Sequence, residues 1–457
     1  MKHWCVFVMV LLSLAGAVSS QQHESLYAAY HDAAAKLIGA AMVDSAGWTK
    51  LEYLCDRIGN RVSGSETLEQ AVEWSAAQMK KDGLENVTIQ PVDVPHWVRG
   101  QERASLVSPI TRPLSALGLG GSIATPAGGI TAEVIPVRSF DDLEKKGRAA
   151  IDGKIVLYNE PNVGYGQTVP YRSQGASRAA KLGAVAALVR SVDTAFSLQT
   201  VHTGAMNYGA DAPKIPAAAI SVEDALLIQR LSDSGETVRV HLEMQAQTLP
   251  NAKSANVIGE IRGSEKPEEV VVIGGHLDSW DVGQGAHDDG AGIMAALEAA
   301  RLVHELGLRP KRTLRVVFWV NEENGSAGAR AYRESLGANI KQHVAAIEMD
   351  GGAERPVGFS LTSGNAETGL AVMQQIGKLL EGIEANQMTM GSAEADVAPL
   401  ARDGVPVLGL RTVAQHYFDW HHTTSDTLDK VDPQDFRKCI AALAVTSYIL
   451  ADMPGRL

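Results

Sequence analysis

The chain has 457 residues, 45% of them hydrophobic and 21% charged, with 44 Gly, 18 Pro and a formal net charge of −12. That length exceeds one ordinary core and suits two domains, or one domain with a large insertion. The composition excludes disorder, collagen and coiled coil. The negative balance excludes nucleic acid as a partner, because such a binder clusters Lys and Arg to displace counterions.

Residues 1–20 read as a signal peptide. Lys2 and His3 form a short basic start, Val6 to Ala15 an apolar stretch too short to span a bilayer, and Gly16, Ala17, Ser19 and Ser20 a small-residue end. The competing reading is an uncleaved anchor. No later run is long and apolar enough to cross a membrane, so a secreted protein is expected, with no membrane contact once the signal is removed. Cys5 leaves with that segment. Cys55 and Cys439 either pair in an oxidising compartment or remain buried thiols. Their spacing matches neither a zinc finger nor a redox motif.

Residues 24–85 carry helical spacing through Leu26, Ala29, Leu37, Ile38, Ala41 and Met42, with a further helix at 71–79 and a strand at 87–94. From about 106 to 248 the texture changes. Strand-like runs at 132–137, 154–157, 185–189, 215–220 and 238–244 alternate with helical stretches at 177–182 and 225–231. This segment reads as a β-rich module with no titratable cluster at ligand spacing. Beyond 254 the pattern is α/β. Val270 to Ile273 is a continuous apolar run, as a strand buried on both faces requires. A helix follows at 292–306, then strands at 314–320, 344–349 and 406–410. A last helix runs over 436–453, with Pro433 in its first turn. The expected fold class is therefore α/β, a mostly parallel sheet flanked by helices, with a β-rich insertion.

The chemistry lies at the strand ends. The first α/β strand ends in Gly274-Gly275-His276-Leu277-Asp278, and a glycine-rich loop with His287, Asp288 and Asp289 opens the helix after it. The next strand ends in Glu322-Glu323, the third in Glu348-Met349-Asp350, and His421-His422 to Asp426-Thr427 follows the fourth. Ligands bind at the carboxyl ends of strands in open α/β sheets. Carboxylates gathered there repel one another unless a divalent cation intervenes. Imidazole with carboxylate suits zinc, whereas an all-oxygen set suits magnesium or calcium. Each element alone is weak: a Glu-Glu pair is usually a solvated helix face, and a glycine-rich loop usually points to phosphate. The acidic end of this loop argues against an anion. Specificity comes from the five elements in order.

At these residues the sequence resembles the zinc exopeptidase family that includes leucyl aminopeptidases and glutamate carboxypeptidases. The likeness is carried by residues 275–286, 306–315 and 421–427 and extends over nearly the whole mature chain. It implies two zinc ions per chain. His276 and Asp350 would bind one, Glu323 and His422 the other, and Asp288 would bridge them. Glu322 would be the general base. Asp278 would hydrogen-bond the ring of His276 and fix its tautomer. The Asp288–Asp289 peptide would be cis. His422 rather than His421 is taken as the ligand because it directly precedes the Thr-rich segment. His287 is taken as a neighbour, and Asp396 as a candidate near the site. The resemblance also implies a protease-associated insert at 106–248, splitting a peptidase domain into 21–105 and 249–457, and a homodimer. The expected activity is hydrolysis of dipeptides or short peptides, with carboxypeptidase or dipeptidase polarity ahead of aminopeptidase. A non-catalytic, receptor-like binding module on the same scaffold is the alternative from another class.

Overall fold

The computed structural model describes residues 25–192 and 198–457, so the expected signal segment lies outside the described residues. One sheet is built from β1 (Glu85–Val98), β2 (Gln247–Ile261), β3 (Lys266–His276), β4 (Arg312–Trp319), β5 (His343–Glu348), β6 (Pro356–Thr362), β7 (Gln387–Met390) and β8 (Val407–Thr412). Its order is β1-β2-β4-β3-β5-β8-β6-β7. The four central strands β4, β3, β5 and β8 run parallel, while β1, β2 and β6 pair antiparallel with their inner neighbours.

Alternation across the pleat explains the continuous apolar run in β3. Val271 and Ile273 face a core that includes the helices Leu26–Val43, Ala291–Glu305 and Pro433–Asp452, whereas Val270 and Val272 pack with Trp319, Tyr332 and Val407 on the other face. Complete burial of such side chains is worth about 1.5–3 kcal/mol each. The last helix starts as its sequence predicts: Pro433 lies in the first turn, and the Asp432 carboxylate accepts from the N–H groups of Gln434 and Asp435. Strands β6 and β7 and the helices Ala327–Leu336 and Ala366–Leu379 were not anticipated.

A second sheet lies wholly between residues 102 and 244. Its order is Arg112–Leu114, Glu102–Ser108, Arg239–Met244, Ile130–Val137, Ile155–Tyr158, Ala186–Arg190, Ala217–Ile220, Ala116–Gly118. Ile155 and Leu157 point into one core, and Val156 and Tyr158 into another on the opposite face. The segment is thus itself a sandwiched α/β layer rather than simply β-rich. The boundary expected at 105/106 falls inside the strand Glu102–Ser108, and that at 248/249 falls inside β2. The chain crosses between the sheets near residues 99–101 and 245–246, because pairing of Glu102 with Met244 opens the second sheet.

Cys55 and Cys439 are both buried and unbonded. Among the described residues no helix is long and apolar enough to cross a membrane.

Candidate metal centre

The carboxyl ends of β3, β4, β5 and β8 bring His276, Asp288, Glu323, Asp350 and His422 into one crevice. The Asp288 carboxylate lies between two sets of partners. Its Oδ1 is 3.2 Å from His276 Nε2, which is itself 3.3 Å from Asp350 Oδ1. Its Oδ2 is 3.3 Å from His422 Nε2, which is 3.0 Å from Glu323 Oε2. The two adjacent histidines stack with ring centroids 3.6 Å apart, and His421 Nε2 lies farther from Asp288 Oδ2, at 3.7 Å. His421 therefore borders the same crevice, while His422 alone of the two is paired with Glu323 as well.

Local backbone devices hold this arrangement. The Asp288–Asp289 peptide is cis. The buried Asp289 carboxylate accepts from the N–H groups of His276 and Gly292, at 3.1 Å each, tying the end of β3 to the start of the helix Ala291–Glu305. Glycine is required at Gly275 and Gly292, where a Cβ would fall 2.0 and 2.1 Å from the Asp289 carboxylate oxygens. Asp426 accepts from the N–H groups of His287 and Asp288, at 2.8 and 3.2 Å, and fixes the backbone that presents Asp288. The fully buried Arg61 donates to the carbonyls of Leu277, Gly59, Gln284 and Gly285, clamping the same loop from below. His422 has φ of 61°, a left-handed conformation seldom adopted by a residue with a Cβ.

Asp278 departs from expectation. The ring Nδ1 of His276 donates to the backbone carbonyl of Asp278 at 2.9 Å, and the Asp278 carboxylate is 3.9 Å away. The carbonyl is nearer, so the carboxylate is free to accept from the N–H groups of Glu322 and Glu323, at 3.1 and 3.4 Å. It still fixes the site, but through the Glu322-Glu323 turn rather than through the imidazole. His287 is a neighbour, as expected: its Nδ1 accepts from Ala353 N–H at 3.1 Å and its ring packs on Trp420.

The electrostatics call for a cation. The buried carboxyl groups of Asp278, Asp288, Asp289, Glu323, Glu348, Asp396 and Asp426 outnumber Arg61 and Arg172, the buried arginines beside them. Burial pushes the Glu323 carboxyl up to about 7, with Asp288 adding to it. Glu322 rises well above the carboxylate range through burial, against the pull of His276 and with Asp350, Glu323 and Asp396 adding. Burial disfavours a charged His276, but the Asp288 and Asp350 carboxylates prevail and hold it well above the ordinary imidazole value. Asp288 Oδ2 makes no hydrogen bond despite two imidazole nitrogens within 3.7 Å. Atoms that crowd without bonding one another face a common third point. His276, Asp288 and Asp350, and again Asp288, His421 and His422, offer ligand atoms within 4.8 Å of one another. The mixed imidazole and carboxylate donor set suits zinc.

Sequence reasoning missed Arg61 and three residues of the middle segment, and quoted Asp426 without assigning it a role. Arg172 NH1 lies 3.4 Å from His422 Nδ1, Thr203 N–H donates to the His422 carbonyl at 2.9 Å, and the buried His202 lies beside them. The middle segment, which carries no titratable cluster at ligand spacing, thus reaches the His422 loop through single residues. No local spacing signals Arg61 or the middle-segment residues, whereas Asp426 falls within the 421–427 stretch that carries the resemblance.

The profile of "Peptidase family M28" matches residues 256–447. Carboxypeptidase Q of Mus musculus is 44% identical over 431 residues, covering 94% of this chain and 91% of that protein. Carboxypeptidase Q of Homo sapiens is 42% identical over 429 residues, covering 93% and 90%. The crystal structure of a peptidase M28 precursor from Shewanella amazonensis SB2B superposes with a TM-score of 0.90 at 35% identity, covering 94% of this chain and 98% of that one. Fold, donor set and these likenesses define a zinc metallopeptidase of the exopeptidase class. The chain belongs to peptidase family M28.

Proposed function

We propose that this protein is a secreted exopeptidase that hydrolyses dipeptides and other short peptides with two zinc ions. His276 and Asp350 would hold one ion, Glu323 and His422 the other, with Asp288 shared between them. The observation that carries this reading is the division of the Asp288 carboxylate, with one oxygen toward His276 and the other toward His422. Bound there, zinc would supply Lewis acidity toward the scissile carbonyl and the attacking water. Glu322 then removes a proton from that water and passes it to the leaving amine. Its pKa, raised by burial, suits a group that must hold the proton between those two steps.

Two features favour a substrate with free termini. Arg172 is 7% exposed and sits beside His422, a cation near enough to attract a terminal carboxylate. Glu394 lies near Asp350, and burial together with that neighbour pushes its carboxyl up to about 7. It is suited to meet a free α-amine. One group of each kind beside the two metal positions fits a dipeptide. The resemblance to carboxypeptidase Q supports the carboxyl-side polarity.

The test is zinc-loaded protein with one dipeptide in free, N-acetylated and C-amidated forms. Free dipeptide should be cleaved fastest, and amidation should cost far more than acetylation. Arg172→Met should raise KM for the free form. Rapid cleavage of the amide with refusal of the acetylated form would favour an aminopeptidase. Two bound zinc ions without hydrolysis of any form would favour a binding module. The segment 102–244 is proposed as a protease-associated insert, and the molecule as a homodimer, which light scattering on the eluted protein would check.

A further inference from the structure

We propose that Arg99 is a positioning residue for His422, locking the inserted layer onto the metal loop so that the His422 ring faces Asp288 and Glu323. The inference rests on the two-zinc reading and deepens it, since it makes one half of the metal centre depend on the insert. Arg99 stands at the crossing between β1 and the second sheet, directly after Val98. Its fork grips the Asp281 carboxylate through Nε and NH2, at 2.7 and 2.6 Å. Asp281 belongs to the loop that leaves His276. The same guanidinium donates to the Gly118 carbonyl and to Thr203 Oγ1 (3.3 Å), both in the insert. It packs over the Trp97 ring at 4.9 Å.

Thr203 carries the constraint onward. Its hydroxyl donates to the Gly118 carbonyl at 2.8 Å and accepts from Arg99, which pins the residue completely inside the protein. Its backbone N–H donates to the His422 carbonyl at 2.9 Å. Its backbone carbonyl is 3.4 Å from His422 Nδ1, placed to accept the ring N–H once Nε2 is committed to a metal. This two-point pairing holds His422 in its left-handed backbone conformation, which isolated sterics disfavour. Trp280 closes the other side. Its ring meets His422 edge-on at 5.7 Å and lies so close to Gly120 of the insert that a Cβ there would fall 2.0 Å from it. A planar fork is necessary at residue 99, because only Arg can engage both carboxylate oxygens while still reaching Gly118 and Thr203.

The experiment uses the full zinc-loaded chain. A chelator is titrated against wild type, Arg99→Met, Arg99→Lys, Thr203→Val and Thr203→Ser, with zinc per chain, thermal midpoint, kcat and KM measured for each. Wild type and Thr203→Ser should release two ions at similar chelator concentrations. Arg99→Met and Thr203→Val should surrender one ion at about 10–100-fold lower chelator, the range seen when a ligand's supporting partner is lost. They should keep the other ion as wild type does. Arg99→Lys should fall between, and kcat should drop more than KM rises. Thr203→Val keeps the shape of the residue and so serves if Arg99→Met does not fold. Both ions leaving together, in step with a lowered thermal midpoint, would reduce the clasp to a fold-stabilising role and overturn the inference. So would unchanged release from both variants. A wild-type chain that never holds two ions would instead remove the two-zinc reading underneath it.

Discussion

Glu322→Gln isolates the proton-transfer role of this centre. The change conserves volume and leaves the backbone N–H of residue 322 to donate to Asp278, so the turn that presents Glu323 is kept. No proposed metal ligand is altered. What disappears is the capacity to take and return a proton, which contributes about 10²–10⁴-fold in such steps. That corresponds to a barrier increase of roughly 2.7–5.5 kcal/mol. The same substitution removes a carboxyl whose charge is disfavoured first by burial and then by Asp350, Glu323 and Asp396. The metal-free variant should therefore be at least as stable as metal-free wild type, above neutral pH especially. The assay is steady-state hydrolysis of a free dipeptide, with zinc content measured on the same sample and thermal unfolding on the stripped protein. Activity within threefold of wild type at full zinc content would refute the assignment of Glu322.

Asp288→Asn should reduce zinc content at both positions and abolish hydrolysis, because a neutral amide cannot supply an anionic oxygen to each side; elemental analysis retaining two ions would contradict the bridging role. Stability should depend on pH in opposite senses with and without metal. Asp426, Glu323 and Glu394 each have pKa values raised to about 7, by burial first, from ordinary carboxylate values. A raised carboxyl favours folding most below its unfolded pKa, and that contribution is lost as pH climbs toward 7, at up to about 1.4 kcal/mol per pH unit per group. The stripped protein should thus weaken from pH 4 to 7. Zinc requires deprotonated ligands, so the gain in thermal midpoint on adding zinc should grow over the same interval; a gain independent of pH would refute this. Gly292→Ala should destabilise the fold and lower activity together, because its Cβ would fall 2.0 Å from the Met349 carbonyl; a cost under about 1 kcal/mol in denaturant titration, an ordinary surface effect, would show the helix start to be more yielding than drawn.

Much of the centre was legible along the chain. Wholly apolar strands ending in His276, Glu322-Glu323 and Asp350 announce a sheet whose carboxyl edge collects polar groups, because periodicity and strand ends are local properties. The cis peptide came from resemblance and is present; the preference for His422 came from the same source and remains a proposal, supported by its contact with Glu323. Strand β7 is a largely exposed edge strand, and β6, although buried, has its apolar run broken by Gly358 and Ser360, so neither shows the pattern that marks a central strand.

Other features arose only when distant segments met. Arg61, Arg99, Arg172 and Thr203 are single polar residues whose neighbours in sequence carry no ligand spacing, and each acts on a loop far from it along the chain; Asp426 lies in a quoted motif, but its hold on His287 and Asp288 is likewise visible only in the fold. Asp278 was rightly singled out but assigned the wrong partner, since residue order cannot tell whether a ring nitrogen will meet a side chain or a nearer backbone carbonyl. Which candidate donors stand at the strand ends follows from local chemistry. The direction in which each ligand points follows from hydrogen bonds closed across the fold, and those exist only once both sheets are packed together.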